Sequence, residues 1–236
     1  MKKILIIITV FLFITSLCYS QEEVDTVEAY RKHSADELIF EVNRDNWLTP
    51  PPGVEIKPVS LGVCLTLLKQ FADEESWINL ALGLGISSQN IKNNSTLCID
   101  STGNSYFSEI PANTNYKKNK LSTVFLEVPL ELRIYSRPDH NSNRFKIAAG
   151  FKVGYNLQRY TKYSGDDFLN LSAGSKIKFK EYKVKNILTY RYGIYGRIGY
   201  GKFCVSGFYS LTPLFEEGKG PEITPYYIGV AIIPFK

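Results

Sequence analysis

A period of two, sustained over stretches longer than ordinary strands, constrains this chain most. Residues 123–135 read TVFLEVPLELRIY, with Val124, Leu126, Val128, Leu130, Leu132 and Ile134 on one phase. Thr123, Glu127, Glu131 and Arg133 fall on the other. A helix would mix the two sets, whereas a strand separates them. Residues 145–157 repeat the pattern. Phe145, Ile147, Ala149, Phe151, Val153, Tyr155 and Leu157 share one phase, and Lys146, Ala148, Gly150, Lys152, Gly154 and Asn156 share the other. Alternating cores of about 11–13 residues exceed the usual five or six of soluble sheets and match the 9–11 that a tilted strand needs to cross a bilayer. The chemistry of the faces points the same way. One face is bulky and aliphatic, as lipid requires. The other is small, polar and charged, as a narrow lumen requires.

On this basis the chain reads as all-β, an eight-stranded antiparallel up-and-down transmembrane barrel. Strands are expected near 37–48, 57–71, 76–90, 119–136, 144–161, 184–200, 202–213 and 223–235. The links alternate in length. Short ones fall near Asp73-Glu74-Glu75, near 137–140 and at 199–202. Longer ones span 91–118 and 162–183, with lesser ones at Pro50-Pro51-Pro52-Gly53 and at 216–221. Membrane barrels have short periplasmic turns and longer external loops, so the long links are expected outside the cell and both termini in the periplasm. Tyrosine and phenylalanine are abundant, at 16 and 14. Phe71, Phe145, Tyr200 and Phe203 are expected in a periplasmic-side aromatic girdle, and Tyr155, Tyr163, Tyr190, Tyr192, Tyr209 and Tyr226 in an external one.

The N-terminus reads as an export signal. Lys2 and Lys3 precede an almost wholly apolar run over residues 4–17, and Cys18-Tyr19-Ser20 leads into Gln21-Glu22-Glu23. This is the basic, apolar and small-residue order of a secretory peptide, with cleavage expected after Ser20. The apolar run is shorter than a spanning helix needs. Leu17 occupies the place where a lipoprotein carries a small residue, so Cys18 is expected to leave with the signal. The domains are then a signal peptide over 1–20, a periplasmic tail over 21–36 and an outer-membrane barrel over 37–236. Removing 20 of 236 residues leaves 216, and the loss of two lysines lowers the net charge from +5 to +3. A balance that small does not argue for nucleic acid.

Inward phases collect charge: Glu41 and Asp45 in the first strand, Glu127, Glu131 and Arg133 in the fourth, Lys152 in the fifth, Arg191 and Arg197 in the sixth. An eight-stranded barrel is just wide enough for its own side chains, so these groups should meet and pair across the lumen. Catalytic and cofactor chemistry finds no foothold. His33 and His140 lack metal-ligand spacing, and no Ser/His/Asp set converges. Gly218-Lys219-Gly220 lacks the phosphate-loop spacing. Cys64, Cys98 and Cys204 form neither a disulfide framework nor a zinc pattern. No enzyme activity, cofactor or metal is expected.

The run YRYGIYGRIGYGKFCVSGF over 190–208 carries Arg191, Tyr192, Gly193, Arg197, Gly199, Tyr200 and Gly201. Tyr209-Ser210-Leu211-Thr212-Pro213-Leu214-Phe215 and the Gly220-Pro221-Glu222 turn follow, while Asn46-Trp47 and residues 83–88 add weaker matches. Over 37–235 these features resemble the porin-like, eight-stranded outer-membrane barrel domains of Bacteroidetes. The resemblance implies an integral barrel of unassigned activity in a Gram-negative outer membrane. Related barrels include a component of that phylum's secretion system. Such barrels often end on an aromatic residue, whereas here Phe235 is penultimate and Lys236 last. The expected partners are outer-membrane lipid, the barrel assembly machinery and an extracellular or secretion-system protein. The leading expectation is a structural or interaction barrel with a charge-filled lumen and two long external loops; the alternative is a narrow transport pore or part of a secretion apparatus.

Overall fold

The computed structural model describes residues 37–71, 76–140, 143–168, 175–182 and 184–234. The expected signal peptide and periplasmic tail, the turn at residues 73–75 and the Phe235-Lys236 end lie outside the described residues. Eleven strands follow in chain order: β1 (Glu37–Trp47), β2 (Leu61–Gln70), β3 (Ile78–Lys92), β4 (Ser95–Ile99), β5 (Ser105–Glu109), β6 (Tyr116–Tyr135), β7 (Phe145–Asp166), β8 (Lys176–Tyr182), β9 (Tyr190–Tyr200), β10 (Phe203–Ser210) and β11 (Pro225–Ile232). Eight of them form a closed antiparallel barrel in the order β1, β2, β3, β6, β7, β9, β10, β11. β1 pairs β11 from Phe40 opposite Ile232 to Trp47 opposite Pro225, which removes the free edges.

Alternation decides the two faces as the sequence requires. Along β6, Glu127, Pro129, Glu131, Arg133 and Tyr135 are buried while Leu126, Val128, Leu130, Leu132 and Ile134 are exposed. Outward aliphatics on β6 run from Ile134 to Val124, ten residues apart. At about 3.3 Å per residue and a tilt near 40°, they cover roughly 25 Å of height, the thickness of an outer-membrane apolar band. Backbone hydrogen bonds are satisfied by neighbouring strands around the ring, which a lipid environment demands.

The short-turn mouth is built from tight chemistry. β9 and β10 pair through Tyr200 opposite Phe203, leaving the two-residue turn Gly201-Lys202. Gly201 sits at φ 57° there, a conformation that favours glycine at the first position of a hairpin turn. Phe71, Phe145, Tyr200 and Phe203 are exposed around this mouth, joined by Trp77. At the other mouth Tyr155, Tyr190, Tyr192 and Tyr209 are exposed on the outer wall. Tyr163, expected in that girdle, is instead buried: its ring stacks on Phe179 at 5.5 Å and meets Phe168 edge-on at 4.9 Å.

The two long links are not open loops. β6 and β7 run for 20 and 22 residues and rise past the barrel rim. Above Tyr155, where β9 ends its pairing with β7, β8 takes over that edge from Tyr160 opposite Tyr182 to Asp166 opposite Lys176. β4 and β5 form a separate hairpin. The strand expected over 184–200 begins only at Tyr190, because residues 184–189 cross the mouth and Ile187 bridges Phe215. Together these segments close an apolar cap. Trp47, Val54, Ile91, Leu121, Ile187, Phe215 and Ile223 form one buried cluster, with Leu97 and Phe107 of the hairpin packed against it. Phe107 lies 5.4 Å from Trp47 and 6.1 Å from Phe215, ring centre to ring centre. The hairpin is tied down by Ser105 N–H donating to Lys219 O at 2.9 Å and by Asn186 Nδ2 donating to Gly103 O at 2.8 Å.

Candidate functional site: the filled lumen

Two carboxylates four residues apart on the inward phase of β6 organise the interior. Glu131 accepts from Arg197 Nη2 at 2.5 Å, from Tyr195 Oη at 2.6 Å and from Arg133 Nε. Arg133 also reaches Glu37 at 3.0 Å, and Gln70 Nε2 donates to Glu37 at 3.3 Å and to Tyr135 Oη at 3.2 Å. Lys146 stands 3.9 Å from Glu37.

Toward the capped mouth, Glu127 pairs with Arg191 at 2.5 Å and with Lys152 at 3.6 Å. Lys152 lies 4.0 Å from Glu41 and donates to Tyr227 Oη at 3.1 Å, which in turn donates to Glu41 at 3.4 Å. Arg191 donates to Gln89 Oε1 at 2.5 Å, and its guanidinium lies 3.8 Å from the centre of the Phe125 ring and 4.9 Å from that of Phe208. Phe208 stacks on Tyr227 at 5.2 Å. Gly193 makes room for this stack, since a Cβ there would sit 2.7 Å from the Phe208 ring.

Charge balances across the wall. Among the described residues the buried charged groups are five acids, Glu37, Glu41, Asp45, Glu127 and Glu131, and five cations, Arg133, Lys146, Lys152, Arg191 and Arg197. Desolvating ten charges in a narrow tube is tolerable only with such pairing, because an unpaired buried ion costs several kcal/mol. Voids among these groups are small. One beside Asp45 and Gln89 and one beside Glu37, Glu131 and Lys146 each measure about 10 Å³, roughly one water-sized sphere.

All eight residues singled out in the sequence face inward. Seven of them, Glu41, Glu127, Glu131, Arg133, Lys152, Arg191 and Arg197, lie in the two networks. Asp45 stands apart: it accepts the Asn90 N–H at 2.7 Å and packs over Gly62. Sequence reasoning missed Glu37, Tyr195, Tyr227, Gln89 and Ser87, whose hydroxyl accepts from Arg191 Nη2 at 3.3 Å. Each sits on the inward phase of its strand, so the phase alone could have found them. The tyrosines were obscured by the expectation that aromatics face lipid.

No group of three or more His, Cys, Asp or Glu residues with metal-holding geometry occurs among the described residues. The lumen's chemistry is that of ion pairs: Glu37, Glu41, Glu127 and Glu131 are each engaged by arginine, lysine or tyrosine, whereas Asp45 is held by the Asn90 N–H.

A closed ring of eight strands with an aliphatic outer belt and a charged, packed interior defines an integral membrane β-barrel. The chain belongs to the family described as "Outer membrane protein beta-barrel domain", whose sequence model matches residues 45–216. That membership makes it an outer-membrane protein. No curated protein matches the chain. Two solved structures are distantly similar. One, described as "Asymmetric conductivity of engineered proteins", is 10% identical with a TM-score of 0.22, covering 84% of this chain and 99% of that one. The other, a triple mutant of the Rhodopseudomonas blastica porin, is 9% identical with a TM-score of 0.21, again over 84% and 99%. Neither likeness bears on the fold or on permeability.

Proposed function

We propose that the protein is a non-conducting structural or interaction barrel, anchored in the outer membrane, that presents its capped mouth to the exterior. The ion-pair networks on Glu127 and Glu131 carry this reading, because they fill the lumen at mid-height where a pore would need water. The apolar cap around Trp47 and Phe215 adds a second closure. Orientation follows the general rule that long connections of such barrels lie outside. The β4–β5 hairpin and the raised β6–β7–β8 sheet are then the surfaces offered to an extracellular or secretion-system partner. We further propose that residues 1–20 are the export signal, that the assembly machinery inserts the mature chain, and that the source is a Gram-negative Bacteroidetes species. N-terminal sequencing of the membrane-inserted protein should begin at Gln21; a retained Met1 overturns the signal proposal. For the barrel itself, liposomes loaded with a small sugar should not swell beyond protein-free controls when the purified protein is incorporated. Swelling at a porin-like rate overturns the non-conducting reading in favour of a transport pore.

A further inference from the structure

Where β3, β6, β7 and β8 run side by side at the capped mouth, their register lines up four lysines. Lys92 lies opposite Lys120, Lys120 opposite Lys162, and Lys162 opposite Lys180. All four belong to the outward phase. On β6 that phase steps from Leu126 through Val124 and Ser122 to Lys120, and on β7 the bulge beside Val124 keeps Gln158, Tyr160 and Lys162 in step with it. With neighbouring strands about 4.8 Å apart, the row extends over roughly 15 Å.

Like charges placed directly opposite destabilise a sheet. Nothing in the row offsets them: it carries no acid, and among the described residues none of the four forms a salt bridge. The nearest acids on these strands, Asp166 and Glu181, are elsewhere. Asp166 lies opposite Lys176 at the tip, and Glu181 lies opposite Thr161 on the inward phase.

The surroundings of the row are those of a built anion site at a membrane surface. On its membrane side, Asn90, Ser122, Tyr160 and Tyr182 form the adjacent cross-strand row. Lys120 Nζ donates to Asn90 Oδ1 at 2.6 Å. Lys180 Nζ lies 3.9 Å and 4.3 Å from the ring centres of Tyr160 and Tyr182. The two rings hold the Lys180 ammonium at the membrane-side edge of the row by cation–π attraction. On the far side, Lys118 and Lys178 flank Ser164, and a groove of about 420 Å³ opens along Lys117, Lys118, Lys162, Lys178 and Lys180. Height fixes the kind of occupant. Lys120 lies four residues beyond Val124, the last outward aliphatic of β6, so the row stands about 10 Å above the edge of the apolar band. The lysines continue the same wall that faces lipid, so an anion meeting them belongs to a molecule whose tails lie against Val124, Leu126 and Tyr155.

We propose that the row Lys92, Lys120, Lys162 and Lys180 binds the phosphorylated headgroup of an outer-leaflet glycolipid, with Lys118 and Lys178 reaching its outer sugars and phosphates. The leaflet rests on the orientation proposed above. That orientation is tested separately by labelling Cys98 on intact cells with a membrane-impermeant maleimide, which should react from outside.

The site itself is tested in symmetric nanodiscs, where orientation does not matter. Mature protein is reconstituted into phosphatidylethanolamine discs, and bisphosphorylated lipid A is titrated, with retained lipid counted by native mass spectrometry. Wild type should retain it and should not retain the same lipid A after enzymatic removal of both phosphates. The variant K92Q/K120Q/K162Q/K180Q should bind about tenfold or more weakly, as expected from losing four surface cations. The four-arginine counterpart should stay close to wild type, and heat-modifiable gel migration should confirm that both variants fold. Equal retention of the dephosphorylated lipid overturns the proposal, as does wild-type affinity in the glutamine variant. An equal loss in the arginine variant overturns it too. So does displacement of bound lipid A by millimolar inorganic phosphate, which would make the row a site for soluble anions.

Discussion

Replacing Glu131 by glutamine keeps the shape of the side chain and removes one charge from the middle of the barrel. Glu131 is 1% exposed and forms the only salt bridge of Arg197 among the described residues, at 2.5 Å. Arg133 retains Glu37 at 3.0 Å, so the loss falls chiefly on Arg197. Orphaning a buried cation costs about 3–5 kcal/mol, which is roughly a hundredfold to a few thousandfold in the folding equilibrium. A second substitution, Arg197→Met, removes the orphan and should return a coupling of about 1–3 kcal/mol in the double variant. Urea unfolding of the refolded protein in detergent, followed by tryptophan fluorescence and gel mobility, reads both numbers. Trp47 is buried in the cap and Trp77 exposed on the wall, so the emission reports both ends of the barrel. A Glu131→Gln variant within about 1 kcal/mol of wild type would mean that water screens the lumen as it screens a surface pair, and the packed-lumen argument would fall.

Other substitutions probe the wall and the cap. Leu130→Arg places a cation near the middle of the outward band and should cost about 2–4 kcal/mol in lipid vesicles, measured by the same unfolding; a neutral result would contradict lipid contact there. Phe215→Ala, at 1% exposure in the cap, should cost about 3 kcal/mol and loosen the hairpin. Limited proteolysis should then nick residues 99–105 while the barrel stays heat-modifiable, and an unchanged cleavage rate would refute the cap's packing. In the turn between β4 and β5, the exposed Asp100 carboxylate is held below the usual carboxylate range, first by the Thr102 hydroxyl at 2.7 Å and then by the Asn104 and Thr102 N–H groups. Because the folded value is depressed, the turn's stabilisation is complete above pH 4 or so and is lost as pH falls through Asp100's own lowered value. The Thr102 and Asn104 amide shifts should titrate below the range of an ordinary aspartate, and titration at or above it would refute the arrangement.

The period of two made the barrel legible because each strand had to satisfy lipid on one phase and a narrow lumen on the other. Residues 123–135 and 145–157 face the directions their alternation demands. The inward charges were legible for the same reason. Beyond the membrane that constraint lapses, and reading failed there. Residues 176–182, KIKFKEY, alternate as cleanly as any strand, but lysines on one phase fit no lipid wall and the segment reads as loop. β8 forms because β7 outruns β9 and needs an edge partner. The cap was illegible in principle: Trp47, Phe107 and Phe215 come from three distant segments and meet only once the barrel closes. Tyr163 was misassigned because the bulge at Val124/Phe125 shifts the phase of β7 above it, turning that ring inward. The lysine row is a property of register between strands, which no single stretch of sequence displays.

Thiol accessibility tests the filled lumen most directly. Three cysteines lie among the described residues: Cys64 and Cys204 are buried on inward phases of β2 and β10, and Cys98 is partly exposed on the hairpin. A small water-soluble methanethiosulfonate reagent applied to the folded, heat-modifiable protein should add to Cys98 alone, with Cys64 and Cys204 reacting only after heat unfolding. Modification of Cys64 and Cys204 in the folded barrel, at a rate near that of Cys98, would show a water-filled channel and contradict the account.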